Sequence, residues 1–359
     1  MIKRMVINNV FSIDSCDISF EKAKYKFLNQ YNILDKIANP IAIYGRNGSG
    51  KSSFIEAFNC LLILLTSEVD KLAPIIPNFV NGRDKTSLIK LYFDLEGNNY
   101  EYSIRTNIEK IVEEQLVKDD KIILNREDNI YVVGDNKYSI TSNLYPALRD
   151  YVNKNNGTII NSVYDYLSNM AYIGADKGFY LARTLNNASH LDTMVSKSNE
   201  VKEILKQYKS FPIYDIGSYV DQETRTKNYY AAIEKDNGTF TIPYTFVSNG
   251  MRNQSFMLSV LLSLPENGVM VVDELEDALH PLTIMNFINE AIERKIQLIF
   301  VSHNTNTLSQ LRPDNIIFAN WKNGYSTYKR LCDIYPNIRE VNNIEKMYLS
   351  NVFDEEIEK

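Results

Sequence analysis

Cysteine is scarce in this sequence of 359 residues, and that scarcity excludes two kinds of small domain. The three cysteines, Cys16, Cys60 and Cys332, lie far apart along the chain. Three scattered thiols are too few for a disulfide framework, and their spacing is not that of zinc ligands. The composition therefore predicts a fold without covalent cross-links, as expected in a reducing cytoplasm.

Long hydrophobic runs are missing as well. A helix that crosses a bilayer needs about 18–20 consecutive apolar residues, whereas the longest apolar stretch here is Cys60 to Leu65. The first residues carry two charges, on Lys3 and Arg4, and have neither a long apolar core nor a small-residue cleavage site. The sequence therefore predicts a soluble, cytoplasmic protein with no signal peptide and no membrane partner.

Positive charge is in deficit. The chain has 39 Lys and Arg residues against 45 Asp and Glu residues, which gives a formal net charge of −6. This balance disfavours a surface built wholly for nucleic acid but permits a local basic patch. One candidate patch comprises Lys197, Lys202, Lys206 and Lys209. Because Glu200 and Glu203 are interspersed with these lysines, we interpret the segment as a solvated helix face rather than as a DNA-binding groove.

Sustained heptad repeats and low-complexity tracts are also absent from the sequence. Long coiled-coil arms need many heptads, so this absence argues against a protein with such arms. Apolar residues, by contrast, are plentiful, at 44% of the chain. A chain of this length and composition can form about two folding units with a large core.

One glycine-rich segment matches the phosphate-binding pattern G-x-x-x-x-G-K-S/T. It reads Gly45-Arg46-Asn47-Gly48-Ser49-Gly50-Lys51-Ser52-Ser53. An apolar run suited to a buried strand, Ile41 to Tyr44, precedes it, and a segment with helical spacing, Ser52 to Thr66, follows it. A chance match is disfavoured because the motif stands in the order of strand, loop and helix that it requires.

This segment predicts a phosphate-binding loop, or P-loop, at the start of a helix. The glycines at 45, 48 and 50 let the backbone bend so that amide hydrogens point inward, and the positive end of the helix dipole adds to them. We expect Lys51 to reach the β- and γ-phosphates of ATP and the Ser52 hydroxyl to ligate the bridging Mg²⁺. ATP and Mg²⁺ are therefore the predicted ligands.

A second apolar strand pattern ends in two carboxylates. Val269 to Val272 is followed by Asp273 and Glu274, the arrangement of a Walker B motif. We expect Asp273 to hold Mg²⁺ through water and Glu274 to act as general base for the attacking water, a role worth roughly 10²–10⁴ in rate. The alternative is a strand that merely ends in a solvated acidic turn, and it is disfavoured downstream of a P-loop.

A third strand pattern, Ile296 to Val301, ends in Ser302, His303 and Asn304. Ligands bind at the carboxyl ends of parallel strands. We therefore predict that His303 contacts the γ-phosphate and senses whether it is present. The alternative is a structural histidine.

These three motifs, with a fourth between them, resemble the ATP-binding-cassette (ABC) heads of the SMC, RecF and OLD group of ATPases. The fourth runs from Val247 to Arg252 and precedes an apolar helical pattern, Phe256 to Leu264. Taken alone, Ser248 and Gly250 form only a helix-capping signal. The resemblance implies a signature motif, whose serine and glycine contact the γ-phosphate held by the opposite subunit of a head-to-tail dimer.

The resemblance implies an α/β fold of the P-loop NTPase, ABC-ATPase head type, with a mixed sheet and flanking helices. About 195 residues separate Lys51 from Ser248, more than a minimal nucleotide fold needs. We therefore predict a head formed by residues 1–85 and 241–359, with an accessory region inserted at 86–240. Alternation over 86–141 predicts an antiparallel β-meander, and helical periodicity over 143–210 predicts a helical lid or arm.

Further segments are similar to those of AAA-type ATPases of bacterial phage-defence operons, including the Rlo and PARIS systems. They are MIKRMVINNVFSI, YEYSIRTNIEKIVEEQL, DELEDALHP and parts of the stretch from Leu311 to Leu349. This resemblance implies slow ATP hydrolysis that sets a conformational state. It also implies an effector protein, such as a nuclease or toxin, supplied by a neighbouring gene.

The sequence departs from its relatives at several positions. The stretch Asn9 to Ser12 lacks the arginine that relatives carry in Asn-Phe-Arg-Ser near the nucleotide. Glu276 stands where transporter ATPases usually have a small or hydroxyl residue, and His280-Pro281 replaces their D-loop aspartate. These changes indicate the OLD-like branch. No residue of this chain is assigned to the glutamine loop.

Three functional hypotheses follow. The leading one is a cytoplasmic ATPase that dimerises around ATP, as a homodimer or a larger homo-oligomer, and regulates a separate antiphage effector. The first alternative is a RecF-like or SMC-like repair ATPase that clamps DNA, which salt-dependent DNA binding would reveal. The second is a non-hydrolysing scaffold that uses ATP as structural glue. Glu274 beside Asp273 stands against that scaffold.

Overall fold

The computed structural model describes residues 1–28, 32–67, 72, 81, 85–176, 179–183, 190–197, 199–200, 203–204, 213–235, 238–279 and 281–353. In chain order its strands are β1 (Ile2–Val10), β2 (Ile13–Ser19), β3 (Ile33–Leu34), β4 (Ile37–Ala38), β5 (Ile41–Tyr44), β6 (Ser87–Leu95), β7 (Asn98–Thr106), β8 (Ile111–Lys118), β9 (Lys121–Glu127), β10 (Ile130–Val133), β11 (Asn136–Ser139), β12 (Ala171–Asp176), β13 (Phe179–Arg183), β14 (Ile213–Val220), β15 (Lys227–Lys235), β16 (Gly238–Pro243), β17 (Val269–Val272), β18 (Gln297–Val301), β19 (Ile316–Lys322) and β20 (Tyr325–Arg330).

Helices form further parts of the described chain. The α-helices are α1 (Lys51–Thr66), α2 (Ala147–Lys154), α3 (Ile159–Ser168), α4 (His190–Ser196), α5 (Asn249–Ser263), α6 (Leu275–Ala278), α7 (Pro281–Glu293), α8 (Leu331–Ile334) and α9 (Ile344–Leu349). Short 3₁₀ turns cover Tyr244–Phe246, Thr305–Gln310 and Pro313–Asn315. Among the described residues, none of these helices is long and apolar enough to cross a membrane.

One mixed sheet of 15 strands dominates the described part of the chain. Its order is β11-β10-β9-β8-β7-β6-β1-β2-β20-β19-β5-β18-β17-β12-β13. The run from β19 to β12 is parallel, with β5 between β19 and β18, and β18 beside β17. The carboxyl ends of neighbouring parallel strands meet at one edge of a sheet, so this run brings the ends of β5, β17 and β18 together.

Apolar side chains cover both faces of these central strands. In β5, Ile41 and Ile43 belong to one buried cluster, together with Phe54 and other residues of α1. Ala42 and Tyr44 belong to the opposite cluster, which includes apolar residues of α5 and α7. Because side chains alternate along a strand, a strand buried on both faces must be apolar throughout, as β5 is. The predicted α/β fold, a mixed sheet with flanking helices, is confirmed.

The predicted β-meander is part of this same sheet. Strands β6 to β11 pair antiparallel in chain order, as the alternation over 86–141 indicated. The first of them, β6, also pairs with β1 along its length. The meander thus continues the sheet of the head. The boundaries at residues 85 and 240 stay a prediction.

The prediction of a helical segment over 143–210 is wrong for residues 171–176 and 179–183. Helices α2, α3 and α4 form within this range, but β12 and β13 form a hairpin between them. Strand β12 pairs in parallel with β17, and the Asp273 amide donates to the carbonyl of Ile173. Tertiary pairing overrides local periodicity in such short segments, since a strand gains its hydrogen bonds from distant residues. Residues 205–210 lie outside the described part of the chain.

The lysine segment near residue 200 is described only in part. Lys197 donates to the carbonyl of Leu262 at 2.7 Å and lies 3.8 Å from Glu200. Lys202, Lys206 and Lys209 lie outside the described residues. The interpretation of this segment as a solvated helix face stays a prediction.

Candidate functional site

The P-loop joins β5 to α1, and its backbone needs glycine. Gly48 and Gly50 have φ of 78° and 94°, in the left-handed region that glycine adopts without strain. A Cβ at Gly50 would overlap the Ser326 hydroxyl. Space and conformation therefore both require glycine at position 50. Residues 46–48 are exposed, so the loop opens at the carboxyl edge of the sheet.

Lys51 lies beneath this loop. It is only 5% exposed, and its Nζ donates to the carbonyls of Gly45 at 3.0 Å and Arg46 at 3.1 Å. Burial lowers the pKa of Lys51, while nearby carboxylates, Asp273 first among them, act in the opposite direction. A cation held by carbonyls of the loop itself can transfer its hydrogen bonds to a bound phosphate without moving far.

Ser52 and Asp273 form a second polar contact. The Ser52 hydroxyl donates to Asp273 Oδ1 at 3.2 Å, although the two residues are 221 positions apart. Burial raises the pKa of Asp273, and the Ser52 hydrogen bond opposes this effect. A hydroxyl and a carboxylate are the hard oxygen donors that Mg²⁺ accepts. The pair therefore fits the predicted magnesium site.

The predicted magnesium site has few protein ligands. Within the described ranges, no group of three or more His, Cys, Asp or Glu residues could hold a metal ion. Mg²⁺ is commonly bound by one or two protein oxygens plus substrate phosphates and water, rather than by a protein cage. The Ser52–Asp273 pair has this sparse character.

Glu274 has an unusual backbone. It follows Asp273 after the end of β17 and has φ 53° and ψ 66°, the left-handed conformation, at the N-cap position of the short helix α6. A residue with a side chain occupies this region at an energetic cost, and such residues concentrate at functional sites. The turn directs the chain away from the sheet immediately after the two carboxylates.

The residues Ser302, His303 and Asn304 after β18, here called the switch motif, lie beside the P-loop and the Walker B motif. Strand β18 is hydrogen-bonded to β5 on one side and to β17 on the other. Its continuation places His303 at the same edge, where this residue is exposed. The His303 backbone amide donates to Glu276 Oε1. The fold thus brings together Lys51, Asp273 and His303, while the roles assigned to them stay predictions.

Glu276 links the Walker B turn to the switch motif. Besides its contact with the His303 amide, its second oxygen, Oε2, is buried and has no hydrogen-bond partner among the described residues. Glu276 is also one of the carboxylates that act on the pKa of Lys51. The sequence drew attention to this residue only as a departure from transporter ATPases. Its connection to the switch motif depends on a contact between helix α6 and the residues that follow β18.

The predicted signature residues begin α5. The Ser248 hydroxyl accepts a hydrogen bond from the Met251 amide at 3.4 Å, so Ser248 caps the helix as the sequence indicated. Ser248, Asn249 and Gly250 are exposed. In the part of the chain that the structure describes, no hydrogen bond joins Ser248 or Gly250 to the P-loop of the same chain. Their role towards a second subunit stays a prediction.

Three residues that motif reasoning missed support the P-loop. Ser12 donates to the Ser53 hydroxyl at 2.8 Å and is 2.6 Å from the Ser326 hydroxyl. The Tyr328 hydroxyl donates to the carbonyl of Gly50 at 2.6 Å. Ser12 is the last residue of the stretch that lacks the relatives' arginine, and it also lies in the N-terminal segment that is similar to phage-defence ATPases. Ser326 and Tyr328 belong to β20, which lies in the similar stretch from Leu311 to Leu349 but outside the four nucleotide-site motifs.

Solved structures with similar folds include SMC heads. One, titled "Crystal structure of the SmcHead bound to the C-winged helix domain of ScpA", has a TM-score of 0.52 and 13% identity, covering 91% of this chain and 96% of that chain. The SMC head domain from Thermotoga maritima has a TM-score of 0.47 and 15% identity, covering 92% and 98%. A Pyrococcus yayanosii Smc head domain with a coiled coil and joint has a TM-score of 0.46 and 9% identity, covering 98% and 99%.

The first of these likenesses shows that the chain has the P-loop ATPase fold of an SMC head, the ABC-type architecture. No curated protein sequence matches the chain significantly. A family profile does match, over residues 41–309, which includes the P-loop, the signature segment, both carboxylates and the switch histidine. The chain belongs to this family, AAA_21, described as "AAA domain, putative AbiEii toxin, Type IV TA system".

Proposed function

We propose that this protein binds and slowly hydrolyses ATP, and that ATP holds two copies of it together. The observation that carries the proposal is the contact between Ser52 of the P-loop and Asp273 after β17. It joins the two halves of a nucleotide site across 221 residues of sequence. The same edge of the sheet holds Glu274 and His303, so the groups that such a reaction needs are close to one another.

Each group has a separate task in the proposed reaction. The loop amides and Lys51 bind the phosphates, while Ser52 and Asp273 would hold Mg²⁺, which neutralises charge that develops on the phosphate oxygens when bound. Glu274 takes the proton of the attacking water, a task worth roughly 10²–10⁴ in rate. His303 contacts the γ-phosphate, and Glu276 positions His303 by accepting a hydrogen bond from its backbone amide. Sensing of the γ-phosphate therefore couples to the Walker B turn.

The dimer follows from the exposed start of α5. A helix N-terminus with unpaired amides and a positive dipole end attracts an anion. Ser248 and Gly250 lie there, and Phe246 just before them is 78% exposed. In the proposed dimer this end of one chain covers the γ-phosphate bound by the other chain. ATP would then bridge two surfaces that have little attraction for each other without it.

Replacing Gly250 with aspartate tests this arrangement. A Cβ at Gly250 meets no atom within 4 Å, so the variant is expected to fold and to bind ATP normally. It should fail to form ATP-dependent dimers, because its carboxylate would face the γ-phosphate of the other chain. Light scattering with and without Mg-ATP measures the dimer, and Gly250→Ala is the matched control that keeps the neutral surface.

Mixing variants shows which chain supplies each half of the site. A chain with Lys51→Ala and a chain with Gly250→Asp each lack one half, but together they can form a dimer with one intact composite site. We expect ATP-dependent pairing to return partially in the mixture. If the mixture shows no recovery at all, Ser248 and Gly250 do not act between subunits.

The biological output is proposed to lie in a partner. The motif resemblance is to ATPases of phage-defence operons, and the family description names a toxin of a type IV toxin–antitoxin system. Both the resemblance and the family description suggest that this protein acts together with the product of a neighbouring gene. We expect this chain to form a stable or nucleotide-gated complex with an effector, such as a nuclease, and to change that effector's toxicity. Purification of the native complex followed by mass spectrometry identifies the effector.

Protection against phage is expected to require the whole ATP cycle. In the intact operon, Lys51→Ala leaves the protein empty and Glu274→Gln holds it closed, so each change should abolish protection. Plaque counts on cells that carry the operon measure the effect. Full protection by this chain alone, or normal protection by both variants, would contradict the partner proposal. The DNA-clamping alternative would then be tested by binding at graded salt concentrations.

A further inference from the structure

A cavity of about 490 Å³ opens beside the P-loop. Residues 46–49 of the loop form one wall, and Asn320, Trp321 and Lys322 at the end of β19 form the other. Strand β19 is parallel to β5, so its carboxyl end reaches the same edge of the sheet as the loop. None of the motifs described above includes β19.

Trp321 is the only tryptophan of the chain and is 51% exposed. It is paired with Ser326 across the β19–β20 hairpin, and paired residues project from the same face of a sheet. Ser326 contacts Ser12, which in turn contacts Ser53 at the start of α1. Trp321 therefore projects from the face of the hairpin on which the P-loop lies.

A nucleotide needs a place for its base outside the P-loop. The loop amides and Lys51 accommodate only the phosphates of a nucleotide, so the ribose and the base must extend into an adjoining space. The cavity adjoins the loop, and binding pockets for small molecules have volumes of about 300–1,000 Å³. A tryptophan ring offers a flat apolar surface on which any base can stack. The amide groups of Asn47 and Asn320 give the same cavity hydrogen-bond donors and acceptors.

We infer that this cavity takes the base of the bound nucleotide and that Trp321 stacks on it. The inference rests on the proposed nucleotide binding at the P-loop and adds the part of the site that recognises the base. In this arrangement Lys51 and the loop fix the phosphates, while the β19–β20 hairpin fixes the other end of the nucleotide. The hairpin is thereby a second binding element, separate from the four motifs.

Fluorescence of Trp321 reports on base binding directly, because it is the sole tryptophan. ADP should quench this fluorescence in a saturable manner. Inorganic tripolyphosphate, which has phosphates but no base, should bind by calorimetry and leave the fluorescence nearly unchanged. Quenching of equal size by tripolyphosphate would overturn the inference, as would binding of ADP without any quenching.

Substitution separates the base from the phosphates. The Trp321→Ala variant loses one stacking contact, so we expect it to bind ADP about 5- to 150-fold more weakly than the wild type. Its binding of tripolyphosphate should not change. Trp321→Phe should recover most of the affinity. The control Tyr219→Ala removes another exposed aromatic residue, 55% exposed on β14, and should bind ADP as the wild type does. Equal losses for ADP and tripolyphosphate, or no loss for ADP, would contradict stacking.

Two further outcomes are distinguishable. If Lys51→Ala abolishes ADP binding while Trp321→Ala leaves it unchanged, the proposed nucleotide site holds and the base lies elsewhere. A different result would be a fluorescence change that occurs with ATP but not with ADP and that grows with protein concentration. In that case a second copy of the chain covers Trp321 in the dimer, and the inference is wrong. Quenching by ADP at low protein concentration, where the chain is monomeric, supports it.

Discussion

Replacing Lys51 with alanine is expected to abolish measurable binding of Mg-ATP. The change removes the cation that lies under the loop and leaves the carbonyls of Gly45 and Arg46 without their donor. It also leaves Asp273, Glu274 and Glu276 without the nearest compensating positive charge, so the site would repel phosphate. Isothermal titration calorimetry with Mg-ATP measures the effect.

A control separates this loss from general destabilisation. Lys295→Ala removes an exposed lysine that is paired with Glu266 and should bind Mg-ATP normally. Thermal unfolding of the Lys51→Ala protein without nucleotide should show one cooperative transition. Unchanged affinity for Mg-ATP in that folded variant would disprove the assignment of residues 45–53 as the phosphate site.

The second large effect is expected for Glu274→Gln. Glutamine preserves the shape of the side chain and can keep the left-handed backbone at this position, but its amide cannot take the proton of the attacking water. We expect nucleotide affinity to be retained, turnover to fall at least about 10²-fold, and ATP-bound dimers to accumulate. Phosphate release measures turnover, and size-exclusion chromatography measures the dimers.

Glu276→Gln is the matched comparison for this prediction. The amide oxygen of glutamine can still accept the hydrogen bond from the His303 amide, so Glu276→Gln should reduce turnover less than Glu274→Gln does. If instead Glu274→Gln hydrolyses ATP at the wild-type rate and Glu276→Gln does not, Glu276 is the base. Turnover by neither the wild type nor any variant would favour the non-hydrolysing scaffold.

The parts of the site that local sequence specifies could be predicted. The P-loop is read from contiguous residues, since glycine spacing, the preceding apolar strand and the following helix all lie within Ile41 to Thr66. The same holds for the meander, in which each strand pairs with the next one along the chain. Local alternation is sufficient there because the neighbours are set by short turns.

The parts that depend on distant pairing could not be predicted. Strand β12 lies in the range whose helical periodicity predicts a helix, and it becomes a strand because β17 offers hydrogen bonds about a hundred residues later. Trp321 and Ser326 likewise lie near the P-loop only because β19 pairs with β5 and places the β19–β20 hairpin against the loop. A local sequence pattern does not identify the distant strand with which such a segment pairs.

The position of β5 in the sheet has a consequence for how the protein is made. Its two neighbours, β18 and β19, come from far later in the chain, and Tyr44 at its end donates to the carbonyl of Asn304, 260 residues on. At about 5–20 residues per second, a ribosome needs roughly ten to fifty seconds to cover that distance. Pairing across so long a loop is also entropically costly and slow.

During this interval the apolar strand Ile41–Tyr44 lacks both of the strands that pair with it. Such a segment attracts other apolar chains, so we expect the nascent protein to depend on chaperones between synthesis of the P-loop and synthesis of the β19–β20 hairpin. The order of synthesis therefore places the P-loop sequence well before the completion of the proposed nucleotide site. A growing chain carries the complete P-loop sequence early, but under the proposed function it can bind ATP only after the β19–β20 hairpin has been made.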